Sequence, residues 1–379
     1  MDGSQQGASI AAGANDAEEL LAQGQALIAR EQRADAVAAL QRAVELAPGN
    51  WRCWAQLGLA YVDGDAQAKR SGKAVAAFER ALALETETAW VWVKYASALI
   101  YVRRPQEALA ACERALRLEP NSAPAYLDIG IASRILGKLD ESRSALERST
   151  TLDPTYYKAW ISLAVTLIRQ GAFAQALEAS HRAREIDPAA ARPRSLAAYS
   201  LRSLQRPAEA LIAVNEALEL APDNELTLLV KLSILQQERR YHEAVTAAER
   251  LARLRPNRAS RWRILGRVLI EADRTPDAEA AFRKARGLEK AQRRARRKSG
   301  WTARLGTWLL WWLWYALVLG GIGFTIAYLG FRQGDRTFAA AAAIVTAFLL
   351  VVIAVTRGRD LARATRVSES QEIDALLEE

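Results

Sequence analysis

Residues 120–154 read PNSAPAYLDIGIASRILGKLDESRSALERSTTLDP, one full period that opens and closes on proline. The interval repeats, since Pro120, Pro154, Pro188, Pro222 and Pro256 stand 34 residues apart and Pro48 extends the pattern upstream. A fixed 34-residue period is the mark of stacked helix-turn-helix units. Within the quoted stretch, counted from Ala123, small residues stand eighth (Gly130), twentieth (Ser142) and twenty-seventh (Ser149). The twentieth position is small in every unit, as Ala36, Ala74, Ala108, Ala176, Ala210, Ala244 and Ala278 show elsewhere. The eighth gives Gly24, Gly58, Ala96, Ala164, Ala198 and Gly266, with Leu232 the exception. Small positions let two helices approach closely, and large side chains between them fill the space. Eight such units run from Ala17 to Gln292.

The motif stands nearly complete in Trp54-Leu57-Gly58-Tyr61-Ala74-Phe78-Ala81 and again in Trp262-Leu265-Gly266-Leu269-Ala278-Phe282-Ala285. These residues resemble the tetratricopeptide repeat (TPR) pattern, and the resemblance covers about three quarters of the chain. It implies an all-α solenoid of about eight helix-turn-helix repeats over residues 17–292, after a flexible segment 1–16. Thr86 and Lys290 replace the closing proline, and Gln23 and Lys231 replace apolar residues. Proline placement agrees: Pro105, Pro207 and Pro276 fall where second helices begin, and Pro124 and Pro193 where first helices begin. Proline is tolerated there because its missing N–H has no partner in a first turn. The second unit carries four surplus residues, which the sequence places in an extended turn across Val62–Gly72. Asp63 and Asp65 in that turn lack the further carboxylates a metal loop needs.

A different material follows the repeats. Residues 305–331 hold no charge over 27 positions and residues 337–356 none over 20. A helix rises 1.5 Å per residue, so each run is long enough for a hydrocarbon core about 30 Å thick. The reading is a two-helix transmembrane hairpin with a short loop at 332–336. Trp308, Trp311, Trp312, Trp314 and Tyr328 suit membrane interfaces. The formal net charge is +9, and the segment from Arg283 to Arg304, with ten bases against Glu289, accounts for all of it. The basic linker 293–304 holds the cluster Arg293, Arg294, Arg296, Arg297 and Lys298. Beside a span such a cluster sets topology and attracts anionic lipid headgroups, and no nucleic acid partner is expected. With Arg357, Arg359, Arg363 and Arg366 after the second span, both termini and the repeats are expected in the cytoplasm. The tail 357–379 lies on the same side. The Ala- and Arg-rich composition suggests a bacterial plasma membrane. Gly320, Gly321, Gly323 and Ala339–Ala343 allow helix packing within the hairpin or self-association between copies.

No nucleotide fingerprint, P-loop, zinc helix or nucleophile elbow appears. His181 and His242 sit in separate repeats, and Cys53 and Cys112 are without C-x-x-C spacing. Cys112 takes the packed place that Phe holds elsewhere. The chain is not expected to be an enzyme, and no cofactor or metal is expected. What remains is binding of a protein or peptide. In the family it resembles, the first helix of each unit lines a concave groove. The candidates are Trp90, Val93, Ile100, Leu127, Ile131, Arg134, Ile161, Val165, Ile168, Tyr199, Arg202, Leu229, Arg263 and Arg267. They form an apolar stripe with arginines toward one end, suited to a segment with apolar anchors and acidic character. Some of them fit packing between units equally well. The expected function is a membrane-anchored scaffold recruiting a partner through this face. The alternative is an assembly subunit whose hairpin makes the main partner contacts.

Overall fold

The computed structural model describes residues 3–62 and 67–294, with side chains from residue 15 onward except at 63–71. Sixteen helices occupy the described residues, and no strand is found among them. They are α1 (Gly3–Ala29), α2 (Arg33–Leu46), α3 (Trp51–Val62), α4 (Gln67–Leu84), α5 (Ala89–Tyr101) and α6 (Pro105–Leu118). Next come α7 (Ala123–Ile135), α8 (Leu139–Leu152), α9 (Tyr157–Arg169), α10 (Phe173–Ile186), α11 (Ala191–Ser203) and α12 (Pro207–Leu220). Then follow α13 (Glu225–Gln237), α14 (Tyr241–Leu254), α15 (Ala259–Glu271) and α16 (275–294). Odd-numbered helices are the first of each unit and even-numbered ones the second. Two compact units divide within α13, after Ile234.

In the unit ending at Ile234, each first helix packs on its own second helix and on the next first helix, from α1 through α11. The small positions make this possible. Each eighth-position glycine faces a large side chain of the partner helix, so that a Cβ on Gly58 would stand 2.8 Å from the Phe78 ring. A Cβ on Gly24 would likewise meet Leu40, and one on Gly130 would meet Leu146. Leu40, Phe78 and Leu146 are fully buried. The second unit repeats the device, with Gly266 opposite Phe282.

Two hydrogen-bonded devices close the turns. Between first and second helix, the fifteenth residue adopts left-handed φ: Glu31, Arg103, Gly137, Gly171, Gln205, Arg239 and Asp273. The next N–H then reaches back five residues, as Arg104 N to Leu99 O (2.9 Å) and Lys138 N to Ser133 O (2.9 Å). This pairing satisfies carbonyls that the helix end would leave bare. Only two of the seven positions are glycine. Nothing lies within 4 Å of a Cβ added to Gly171, so the penalty of Gly171→Ala is purely conformational. We expect that substitution to lower stability by about 1 kcal/mol and Arg239→Gly to raise it by up to about 1 kcal/mol. Urea unfolding of the two variants measures both signs.

Between repeats, the fourth residue of five first helices donates to a carbonyl six residues earlier. Trp54 Nε1 reaches Pro48 O at 2.9 Å, Trp92 reaches Thr86 O at 2.8 Å and Trp160 reaches Pro154 O at 2.8 Å. Arg194 takes over the role with Pro188 O at 2.8 Å, and in the second unit Trp262 reaches Pro256 O at 2.9 Å.

Three expectations change. The N-terminal segment 1–16 is not left as an unstructured lead, because α1 is helical from Gly3. The repeat boundary at Ala17 falls inside that helix. The surplus of the second repeat is not all turn, since helix resumes at Gln67 and α4 runs 18 residues where most second helices run 14. Adding helix costs less than ordering a long irregular loop, because every added residue closes a backbone hydrogen bond. Pro105 and Pro207 open α6 and α12, as the sequence predicts. Cys53 and Cys112 are buried, and burial pushes both thiols up, Cys53 to about 11. Among the described residues no helix is long and apolar enough to cross a membrane. The expected spans 305–331 and 337–356, the loop 332–336, the tail 357–379 and most of the basic linker lie outside the described residues.

Candidate binding face

The first helices carry every residue proposed from the sequence, and burial divides those residues. Trp90, Arg263 and Arg267 are exposed, while Ile100, Ile131, Tyr199 and Arg202 are half-buried. Val93, Leu127, Arg134, Ile161, Val165, Ile168 and Leu229 are buried. Packing of first helix on first helix accounts for this, because α7 and α9 have neighbours on both sides. Arg263 and Arg267 belong to the second unit, where Arg263 pairs with Glu289 at 3.6 Å.

In the first unit the exposed part of the face has two ends. At one, Trp90 (36% exposed) stands against Trp51, with ring centroids 6.4 Å apart, and Arg52 lies over Trp51. At the other, the Arg202 guanidinium stacks over Tyr199 at 4.8 Å and donates to Ser233 Oγ at 2.8 Å. Tyr199 also meets Phe173 at 6.4 Å. Stacking and hydrogen bonding hold Arg202 in one pose, which lowers the entropy lost when it meets an anion.

A polar seam crosses the middle. Ser97 on α5 donates to Asp128 Oδ2 on α7 at 2.5 Å. Burial pushes the Asp128 carboxyl up to about 7, while the Ser97 hydrogen bond and the positive charges of Lys94 and Lys158 hold it down in part. Those two lysines therefore flank Asp128 from α5 and α9. Both are exposed, and neither enters an ion pair among the described residues. Further polar pairs join neighbouring helices, Ser142 on α8 with Thr166 on α9 at 3.0 Å and Ser195 on α11 with Thr227 on α13 at 2.6 Å. The sequence reading passed over Lys94, Lys158, Trp51 and Tyr101, the last 47% exposed. The signal for the lysines was available: α5, α9 and α11 contain no acidic residue at all.

A cavity of about 190 Å³ lies between α10, α11 and α12, lined by His181, Arg184, Arg194, Arg206, Ile212 and Glu216 among others. Its charges are already matched, with Arg206 on Glu209 at 2.6 Å and Glu216 shared by Arg194 (3.4 Å) and Arg184 (3.8 Å). Burial, with Arg184 next, lowers the His181 pKa. Among the described residues no group of three or more His, Cys, Asp or Glu is placed to hold a metal ion. Glu107, Glu209 and Glu243 instead pair with the arginine three residues earlier at the start of their helices.

The sequence profile of the tetratricopeptide repeat matches residues 94–157, 127–191 and 231–296. Those residues carry tetratricopeptide repeats. Among solved structures, the TPR array is similar to a tetratricopeptide repeat protein from Parabacteroides merdae ATCC 43184, with a TM-score of 0.53 at 13% identity. That alignment covers 67% of this chain and 99% of the other. It is also similar to PilW, described as a type IV pilus biogenesis factor, with a TM-score of 0.50 at 21% identity over 54% of this chain and 94% of that one. At these identities the likeness is one of fold. No curated protein matches the TPR chain at a significant level.

Proposed function

We propose that the chain is a membrane-anchored scaffold whose first-helix face, from Trp90 to Arg202, recruits a protein partner on the cytoplasmic side. TPR proteins are generally protein-interaction scaffolds, which supports the class. The observation that carries the choice of face is the exposed Trp90 standing against Trp51. Large aromatics left open at a structured surface are the residues most often found as interface anchors. Attachment rests on the uncharged runs 305–331 and 337–356, and the basic linker would set topology and meet anionic lipid.

One experiment tests face and anchor together. Full-length protein is compared with a chain ending at Ser299, each with and without Trp90→Asp, Ile131→Asp and Tyr199→Asp. The full-length chain should stay with membranes through a carbonate wash and the shorter one should not. The triple substitution should weaken capture of the partner at least about a hundredfold, since each anchor is worth more than about 1 kcal/mol. Helix content by circular dichroism should be retained, because these three side chains are not buried. Undiminished capture by a folded triple variant would move partner recognition to the hairpin.

A further inference from the structure

Charge is sorted between the two layers of the first unit over α5 to α12. Helices α5, α7, α9 and α11 carry seven lysines and arginines against one carboxylate, Asp128. Helices α6, α8, α10 and α12 carry ten carboxylates against six arginines. The single acidic group of these four first helices is buried, and its pKa of about 7 leaves it largely protonated below neutrality. Arg194 turns away to Glu216, but Lys94 and Lys158 stay exposed without an ion pair among the described residues, and Arg202 is held by Tyr199 and Ser233. A face of one sign focuses counter-charge onto itself.

The chain contains a segment of complementary chemistry. Residues 367–379 hold Glu369, Glu372, Asp374, Glu378 and Glu379 with no base, and Ile373, Leu376 and Leu377 stand at the spacing of one helical face. By the hairpin reading it lies on the same side of the membrane as the repeats. We propose that this acidic segment docks in cis on the basic first-helix face, its carboxylates on Lys94, Lys158 and Arg202 and its apolar residues beside Trp90, Ile131 and Tyr199. The proposal rests on the reading of that face as the binding face. It adds self-occupancy: a partner would have to displace the segment, so recruitment is held back until a competing acidic ligand is abundant. Tethering sets the local concentration of such a segment in the millimolar range for a short linker, so a weak site is largely filled.

The test uses detergent-solubilised full-length chain and a chain ending at Arg366, titrated with a fluorescent peptide of residues 367–379. The shortened chain should bind the peptide at least tenfold more tightly than the full-length one, because its site is open. Lys94→Glu with Lys158→Glu in the shortened chain should remove binding, and Lys94→Gln with Lys158→Gln should weaken it with less risk to folding. Binding should fall with added salt and with a peptide whose five carboxylates are replaced by amides. Equal affinity of the two chains would overturn occupancy in cis. Binding indifferent to the lysine changes would overturn the assigned face. Either failure leaves partner capture through Trp90 and Tyr199 standing, since the triple variant reads that separately.

Discussion

Gly130→Val is expected to destabilise the first unit by about 3 kcal/mol, although helix propensity alone argues the other way. Glycine inside a helix costs about 1 kcal/mol relative to alanine, so an exposed site would gain from replacement. Gly130 is not such a site. Even a single Cβ there would stand 2.7 Å from Leu146 Cδ2, and closer still to Cγ, which is not a freely moving end. Leu146 is fully buried and has no vacant space to turn into. Overpacking of that kind costs about 1–3 kcal/mol, and valine adds two more methyl groups. Because the clash is pairwise, Leu146→Ala in the Gly130→Val background should cost less than Leu146→Ala alone. A double-mutant cycle in urea measures the coupling. Additive losses, or a stabilising Gly130→Val, would show that the two helices do not interlock at this pair.

Asp128 gives the second large effect, through pH. Its folded pKa of about 7 lies above the ordinary carboxylate value because burial penalises the charged form. The native state therefore holds the proton more tightly than the unfolded chain does. The stabilisation is fully present below about pH 4, where both states are protonated, and it is lost as pH rises toward 7. A difference of roughly three units corresponds to a loss on the order of 4 kcal/mol. Asp128→Asn accepts the same hydrogen bond from Ser97 without the charge. The variant should lose this pH dependence and be more stable than the parent at pH 8 by a few kcal/mol. Urea midpoints between pH 4 and 8 decide the matter, and a parent that gains stability across this window through Asp128 would reverse the assignment.

The repeat was legible in the sequence because its packing rule is a spacing rule. Position twenty is small in every repeat and position eight in all but the one with Leu232, so Gly58 and Gly130 announce Phe78 and Leu146 as neighbours. The face was half legible. Leu127 and Ile161 are apolar whether they meet a partner or the next first helix, and periodicity does not separate the two. Lys94 and Lys158 were hidden for the opposite reason, since a lone lysine on a surface helix is ordinary and only the missing acids around it are not. The left-handed turn residue was visible at Gly137 and Gly171 but masked at Arg103 and Arg239, where capping geometry overrides side-chain preference. The continuation of α4 back to Gln67 escaped because Asp, Gly and Ser at 63–72 read as loop formers taken singly.

The indole-to-carbonyl bonds at unit junctions also make this chain its own spectroscopic ruler. Trp54, Trp92 and Trp160 in the first unit, and Trp262 in the second, each tie a helix start to the turn before it. Breaking such a bond exposes the ring to water and shifts its emission to the red. A chain keeping one of these four, with the remaining tryptophans replaced by phenylalanine, would report the opening of one junction. Four such chains, unfolded side by side, would show whether the array frays from its ends or parts in the middle.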